Sequence, residues 1–437
     1  MKRTLTKELL KWKNRPNRYP LLLRGARQVG KTYLIEDFGK SAFESFVSVN
    51  FESQPEALAC FKSLNPDEIL MRLQSILKKA IYPGKTLLFL DEIQICPQAI
   101  VALRYFKEKL PSLHVIGAGS LLEFTLIDGK FSFPVGRIEF MYLKPFSFQE
   151  YIDARAKKIK LEEIVNNSID IDLHNNMIKL VREYFLIGGM PAVIASFCEN
   201  LNIDEANRIH EILLATYKED FRKYAKTNTQ KYLKTILDGI FQMITKQFKY
   251  SKIDPHIQSR ELKPALDHLE WAGLIYRIFA SSASGFPLAA QIKKTRFKVL
   301  FLDIGIAQNE LNPNSKILLE NDLIQLNRGA LAEQFVGQEL LAYANPCRES
   351  HLFYWQREKR GSDAEIDYLY TVGNQIIPIE VKAGPRGRLK SLKQFMQEKK
   401  SPLGIQISQN YLSFEKNILS IPFYLISQLP KILERFL

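Results

Sequence analysis

Two sets of residues in this 437-residue chain have the types and spacings that handle phosphate. The first is Gly25-Ala26-Arg27-Gln28-Val29-Gly30-Lys31-Thr32, which fits G-x-x-x-x-G-K-[ST]. In such a stretch small residues let consecutive backbone N–H groups curl around a phosphate, the lysine supplies a point charge and the hydroxyl ligates magnesium. A nucleoside triphosphate, ATP with Mg2+, is therefore the first ligand expected. A chance glycine turn would not explain the apolar Leu21-Leu22-Leu23 before the loop and the helix-like residues 33–38 after it. Downstream, Thr86-Leu87-Leu88-Phe89-Leu90-Asp91-Glu92 is an apolar strand ending in two carboxylates. Asp91 would hold the magnesium that Thr32 also ligates, and Glu92 would orient and polarise the attacking water. The second set lies near the other end. Asp367, Glu380 and Lys382 bring two carboxylates and one ammonium to a hairpin, with Glu380 and Lys382 on one face because strand side chains alternate.

Both sets need sheets to position them. Strands are expected at 21–23, 46–51, 86–92, 113–116 and 138–143, with a helix at 7–13 and helical periodicity over 55–79. The unbroken apolar run before Asp91 marks a strand buried on both faces of a parallel sheet, its acids at the carboxyl edge where such sheets bind ligands. Ser120 would sit beside the terminal phosphate if the strand at 113–116 neighbours the one ending at Asp91; a serine there also suits an ordinary helix cap. Arg137, before the last strand, is placed either to reach a neighbouring subunit's phosphates or to lie in a surface turn.

Residues 151–221 read as mostly helical. Helices at 233–243 and 259–271, the latter carrying Leu262, Leu266 and Leu269 on one face and ended by Gly273, precede strands at 274–279 and 298–302. Helices followed by a hairpin fit a winged helix, in which Arg260, Lys263, Lys293, Lys294, Arg296 and Lys298 could contact phosphates, although many such modules only pack against protein. A linker with a short helix at 312–328 leads to a helix at 330–341 and strands at 352–355, 364–370 and 376–382. Pro378 points to an edge or strand-start position.

The phosphate loop, the acid-ended strand, a Gly-Ser turn and Gly136-Arg137 before the final strand together resemble the AAA-type ATPases. Gly-Ala-Gly-Ser-Leu-Leu at 117–122, Val-Gly-Arg-Ile-Glu-Phe at 135–140 and Leu-Lys-Pro-Phe-Ser-Phe-Gln-Glu-Tyr at 143–151 look more narrowly like a prokaryotic ATPase family that carries a C-terminal domain of unknown function. That resemblance runs along nearly the whole chain. It implies that Ser120 stands at the sensor position and Arg137 at the arginine finger; no arginine is assigned to a second sensor. Asp367, Glu380 and Lys382 resemble the PD-(D/E)xK nuclease superfamily, the restriction-endonuclease-like fold. This resemblance implies that Asp367 and Glu380 hold Mg2+ or Mn2+, that Glu333 from the preceding helix completes the metal's shell, and that Lys382 orients water or steadies developing charge. Such a site would cut a phosphodiester, but the same fold also serves as an inactive binding module. Arg386, Arg388, Lys390, Lys393, Lys399 and Lys400 form a basic segment just beyond it.

The expected architecture is α/β: an AAA-type P-loop domain over 1–150, a helical lid over 151–224, a winged-helix-like part over 225–312 and a restriction-endonuclease-like α/β domain over 313–437. The net charge of +14 favours partners rich in phosphate. Cys60, Cys96, Cys198 and Cys347 lack paired spacing, which argues against a zinc cluster or disulfide framework. No apolar run reaches the roughly 18 residues of a membrane span, and no signal core opens the chain, so a cytoplasmic protein is expected. The function expected is ATP hydrolysis coupled to action on DNA in a homo-oligomer. Its rival is a nucleotide-dependent switch or scaffold whose C-terminal domain binds partners without cutting.

Overall fold

The computed structural model describes residues 1–120, 122, 124, 136–155, 159, 161–166, 170–224, 227–311, 328–358, 364–384 and 389–436. The helix expected within the 312–328 linker, residues 225 and 226 where the winged-helix-like part is expected to begin, and Arg386 and Arg388 of the basic segment lie outside these residues. Contacts divide the chain into two compact units: residues 1–144 with 271–273 and 345–349, and residues 145–270 with 274–344 and 350–437.

The first unit is built on β1 (Leu21–Arg24), β2 (Ser45–Asn50), β3 (Thr86–Asp91), β4 (His114–Ala118) and β5 (Glu139–Tyr142), in the order β2-β3-β4-β1-β5. Every neighbouring pair is parallel. Every residue of β3 is buried, as its unbroken apolar run requires of a central parallel strand. On one face Val47, Val49, Leu88 and Leu90 join Phe51, Phe61, Ile100 and Phe106 in a single core. The helix Leu5–Asn14 buries Leu5, Leu9 and Trp12, one stripe at helical spacing. The helical stretch expected over 55–79 divides into a 3-10 segment, Pro55–Lys62, and a helix, Pro66–Leu77. Pro66 has no N–H to continue an earlier helix but is preorganised to begin a new one.

The second unit begins with helices. Its first, Phe148–Ala154, is closed by a reciprocal capping box between Ser147 and Glu150, which gives part of the motif at 143–151 a local structural role. A mixed sheet follows: β6 (Ile275–Ser281), β7 (Ile292–Phe301), β8 (Phe353–Gln356), β9 (Glu365–Val372), β10 (Gln375–Val381), β11 (Gly404–Ser408), β12 (Ser413–Glu415) and β13 (Ile418–Pro422). Their order is β12-β13-β11-β10-β9-β8-β6-β7. The hairpin expected as a wing is β6–β7, and its β6 pairs parallel with β8, Phe279 opposite Phe353. The hairpin and the C-terminal strands thus share one sheet, across the boundary expected at 312.

Pro378 is not at an edge or a strand start. It lies inside β10, a strand flanked on both sides, opposite Leu369 of β9. The backbone N of Lys382 donates to Ile407 of β11, and N–H groups alternate along a strand, so the nitrogen of Pro378 faces β11 as well. Pairing with β11 starts only at Ile379, one residue later, and no ladder bond is lost. Among the described residues no helix is long and apolar enough to cross a membrane.

Candidate functional site

In the first unit, β1 turns into the phosphate loop and the loop into the helix Lys31–Ala42. Gly25 has φ +150, and a Cβ there would stand 2.4 Å from the carbonyl oxygen of Leu143, so the loop can approach that backbone only as glycine. Lys31 folds back over the loop, its Nζ donating to the carbonyls of Gly25 and Ala26 at 2.9 Å each. Burial lowers its pKa to about 8 against the opposing pull of Glu92 and Asp91. The Thr32 hydroxyl donates to Asp91 Oδ2 at 2.9 Å. The hydroxyl and carboxylate that would share a magnesium are therefore already side by side, a donor pair suited to that ion.

Two partners escaped the sequence reading. Asn50, the last residue of β2, donates to the same Asp91 oxygen at 3.2 Å, and Gln94 Nε2 donates to Glu92 Oε2 at 2.5 Å. Asn50 stands opposite Asp91 in the ladder, so pairing of the two strands was the signal that could have found it. Glu92 itself has φ +50, an uncommon conformation for a residue with a side chain, and such strain gathers at working sites.

Ser120 is buried two residues beyond β4, and β4 lies between β3 and β1 with Ala118 opposite Asp91. The condition set for Ser120 is met, since its strand is the neighbour of the one ending at Asp91. Arg137 is elsewhere. It precedes β5, whose Glu139 pairs with Leu21 at the start of β1, whereas the loop leaves from the other end, roughly 13 Å of strand away. Its Nε contacts Glu108 Oε1 at 3.3 Å.

In the second unit, β9 and β10 run antiparallel with Tyr368 opposite Ile379, which brings Asp367 beside Glu380 where that ladder ends. Asp367 Oδ2 accepts from the backbone N of Val381 at 2.7 Å, and Lys382 Nζ pairs with Glu380 Oε1 at 2.6 Å. The other oxygen, Glu380 Oε2, is buried with no hydrogen-bond partner among the described residues. Glu333 comes from the helix Arg328–Ala342. The three expected carboxylates and Lys382 do gather in one region.

Lys298 of β7 stands among them, and the sequence placed it wrongly. Expected to touch external phosphates, it is only 2 % exposed. Its Nζ lies 2.5 Å from Glu365, 3.4 Å from Glu333 and 3.7 Å from Asp367. A lysine inside the run Phe297 to Leu300 must find counter-charges, and the acids of β9 and the helix supply them. Burial alone would lower its pKa, but Glu333, Asp367 and Glu365 outweigh this and raise it. One ammonium does not balance so many carboxylates. Burial and the nearby Asp367 raise Glu333 to about 8 and Glu380 to about 7. Among the described residues no group of three or more His, Cys, Asp or Glu is placed to hold a metal ion, so Glu333 does not join Asp367 and Glu380 as the expected third ligand. Asp367 and Glu380, with its unpaired oxygen, still fit a divalent cation as a pair of hard oxygen donors.

A parallel sheet ordered 2-3-4-1-5, a G-x-x-x-x-G-K-T loop at the end of its fourth-placed strand, and an acid-ended strand two places away define a P-loop ATPase. Residues 17–152 match the family model described as AAA domain (AAA_14), residues 178–316 a domain of unknown function (DUF8612), and residues 328–424 another domain of unknown function (DUF4143). The chain thus carries a P-loop ATPase domain of AAA type and, after it, a DUF4143 domain. No curated protein matches it.

Among solved structures, the chain is similar to a Walker-type ATPase of Pyrococcus abyssi at 17 % identity and TM-score 0.45, over 70 % of this chain and 94 % of that one. It is similar to the RuvB Holliday junction branch migration motor of Thermotoga maritima at 18 % identity and TM-score 0.31, over 63 % and 90 %. The ORC1 protein of Aeropyrum pernix, solved in complex with DNA, gives 15 % identity and TM-score 0.29 over 72 % and 91 %.

Proposed function

We propose that ATP binding and hydrolysis in the first unit gate a metal-dependent action on DNA in the second. Residues 1–150 are then the ATPase, residues 151–224 a lid, and residues 225–312 with 313–437 the DNA-acting part, since β6 and β8 share a ladder. Lys31 leaves the carbonyls of Gly25 and Ala26 for the phosphates, which the backbone of residues 25–30 also cradles. Thr32 and Asp91 hold Mg2+, Glu92 orients the attacking water and Ser120 meets the terminal phosphate. Arg137 stands too far from its own chain's loop for direct use, which supports a role on a neighbouring copy in a homo-oligomer. At the second site Asp367 and Glu380 would hold Mg2+ or Mn2+ as a pair, Glu333 being engaged by Lys298 instead of completing the shell, and Lys382 would orient water against a phosphodiester. A metal bound there supplies Lewis acidity and a metal-held nucleophile.

The observation that carries the second-site reading is the buried, unpaired oxygen of Glu380 beside Asp367 and Lys382. A different observation, Lys298 occupying the acid cluster, favours a second reading, a nucleotide-dependent switch or scaffold whose C-terminal domain binds partners without cutting DNA. The test measures ATP hydrolysis and nicking together on single- and double-stranded DNA with Mg2+ or Mn2+. Lys31→Ala is expected to lose ATP hydrolysis, and Asp367→Ala to keep it while losing nicking. Equal nicking by wild type and Asp367→Ala sinks the nuclease reading, and none by either supports the switch.

A further inference from the structure

Beside the carboxylates of β9 and β10 lies a cavity of about 750 Å³ whose lining includes Lys390, Lys393, Gln406, Tyr411, Lys416 and Ser420. Strand register relates it to the acid site. Gln406 of β11 is the register partner of Glu380, and Ser420 of β13 is the partner of Gln406. Residues paired across a ladder share a face, so Glu380, Gln406 and Ser420 form one polar row, with roughly 4.8 Å from strand to strand. Gln406 and Ser420 are 8 % and 9 % exposed, and the Ser420 hydroxyl has no hydrogen-bond partner among the described residues.

Two chemistries meet in this cavity. Lys390 and Lys393 stand one helical turn apart on the helix Lys390–Lys399, and neither has a carboxylate partner among the described residues. Lys416 adds a third ammonium against one carboxylate, Glu415 at 3.9 Å. Three ammonium groups against one carboxylate make this wall attractive to an anion. The second feature is aromatic. Tyr411 is 42 % exposed, its ring stacked on His174 with centroids 4.0 Å apart and 20° between the planes. His174 is in turn fixed by the Tyr424 hydroxyl at 2.8 Å, so Tyr411 is presented on a braced platform. A planar group with phosphate attached satisfies both features, and every base has a face that stacks on tyrosine.

We propose that this cavity takes one unpaired nucleotide of a single strand, its base against Tyr411 and its phosphates on Lys390 and Lys393, and guides that strand along Gln406 to Asp367 and Glu380. The proposal rests on the reading of the second unit as DNA-acting, and it names the form of DNA. Stacking favours a single strand over a duplex, because in a duplex the bases already lie on one another and a nucleotide must leave the stack to reach such a platform.

The test uses the full-length protein and a fluorescently labelled single-stranded oligothymidylate of about 12 nucleotides, followed by anisotropy with EDTA present so that nothing is cut. Tyr411→Ala is expected to weaken binding about tenfold while Tyr411→Phe stays near wild type. Lys390→Ala with Lys393→Ala should also weaken it and flatten the slope of log affinity against log salt by about 1.4. Thermal melts establish that each variant is folded. Strand binding that is undiminished in a folded Tyr411→Ala overturns the cavity while leaving the DNA-acting reading intact. Equal competition by the matching duplex, or by thymidine monophosphate mole for mole, overturns the single-strand assignment. Absence of strand binding by wild type overturns the cavity, and absence of binding to the matching duplex as well overturns the DNA-acting reading.

Discussion

Replacing Lys298 by methionine removes one charge from the C-terminal acid cluster while keeping a flexible apolar chain of similar length. In the native fold the Lys298 ammonium lies 2.5 Å from Glu365, 3.4 Å from Glu333 and 3.7 Å from Asp367, and the residue is 2 % exposed. Removing one partner of a buried ionic group costs about 3–5 kcal/mol, because the charges left behind lose their counter-ion. For a unit of this size that is a fall in Tm of roughly 5–8 °C. The loss depends on pH with a definite sign. Glu333 and Glu380 already bind protons more tightly in the fold than when unfolded, with values of about 8 and about 7. Losing Lys298 strengthens that preference, so the folded variant binds more protons than its unfolded chain and its stability falls as pH rises through this range. Differential scanning calorimetry at pH 6 and pH 8 reads both effects. Millimolar Mg2+ or Mn2+ should recover part of the loss at pH 8 if Asp367 and Glu380 hold a metal. A Lys298→Met protein that melts with wild type at pH 8, metal-free, refutes the view that this ammonium compensates the cluster.

Two further outcomes concern the ATPase unit. Arg137→Ala should lower ATP hydrolysis on the order of 10³-fold, and mixing it with Lys31→Ala should restore activity, since only mixed interfaces pair an intact loop with an intact arginine; a mixture as inactive as its parts removes the role in trans. Lys31, lowered to about 8 by burial, is half deprotonated near that pH in the nucleotide-free protein, and triphosphate raises its pKa again. ATP binding measured calorimetrically without divalent metal should then take up about half a proton near pH 8 and weaken by up to tenfold per pH unit above it; the same heat in buffers of different ionisation enthalpy speaks against a titrating Lys31.

The phosphate site could be read from the chain because its residues are nearly contiguous: loop and helix start fall within eight positions, and the strand carrying Asp91 announces its burial by being apolar throughout. Ser120 could be placed only conditionally, since which strand neighbours β3 is a property of the sheet order and not of any one strand. The same ignorance hid Asn50, whose relevance depends on its standing opposite Asp91. Alternation within a strand reveals which side chains share a face, but not what that face meets.

Lys298 shows where this boundary has consequences. In the sequence it follows Lys293, Lys294 and Arg296 and reads as the end of a basic, phosphate-facing ribbon. Only the parallel contact of β6 with β8, about which periodicity is silent, carries the hairpin into the sheet that holds Glu365 and Asp367. Once there, the buried ammonium and the carboxylates account for one another: the lysine would be too costly to bury without them, and they would repel without it. The acids at the C-terminal site are therefore partly neutralised by the protein itself before any metal arrives. A cation recruited to Asp367 and Glu380 must compete with Lys298 for Asp367 but finds the second oxygen of Glu380 unclaimed. This asymmetry makes Glu380 the side from which a metal would enter, and it gives the Lys298→Met protein, tested with and without metal, the power to separate a nuclease from a silent binding module.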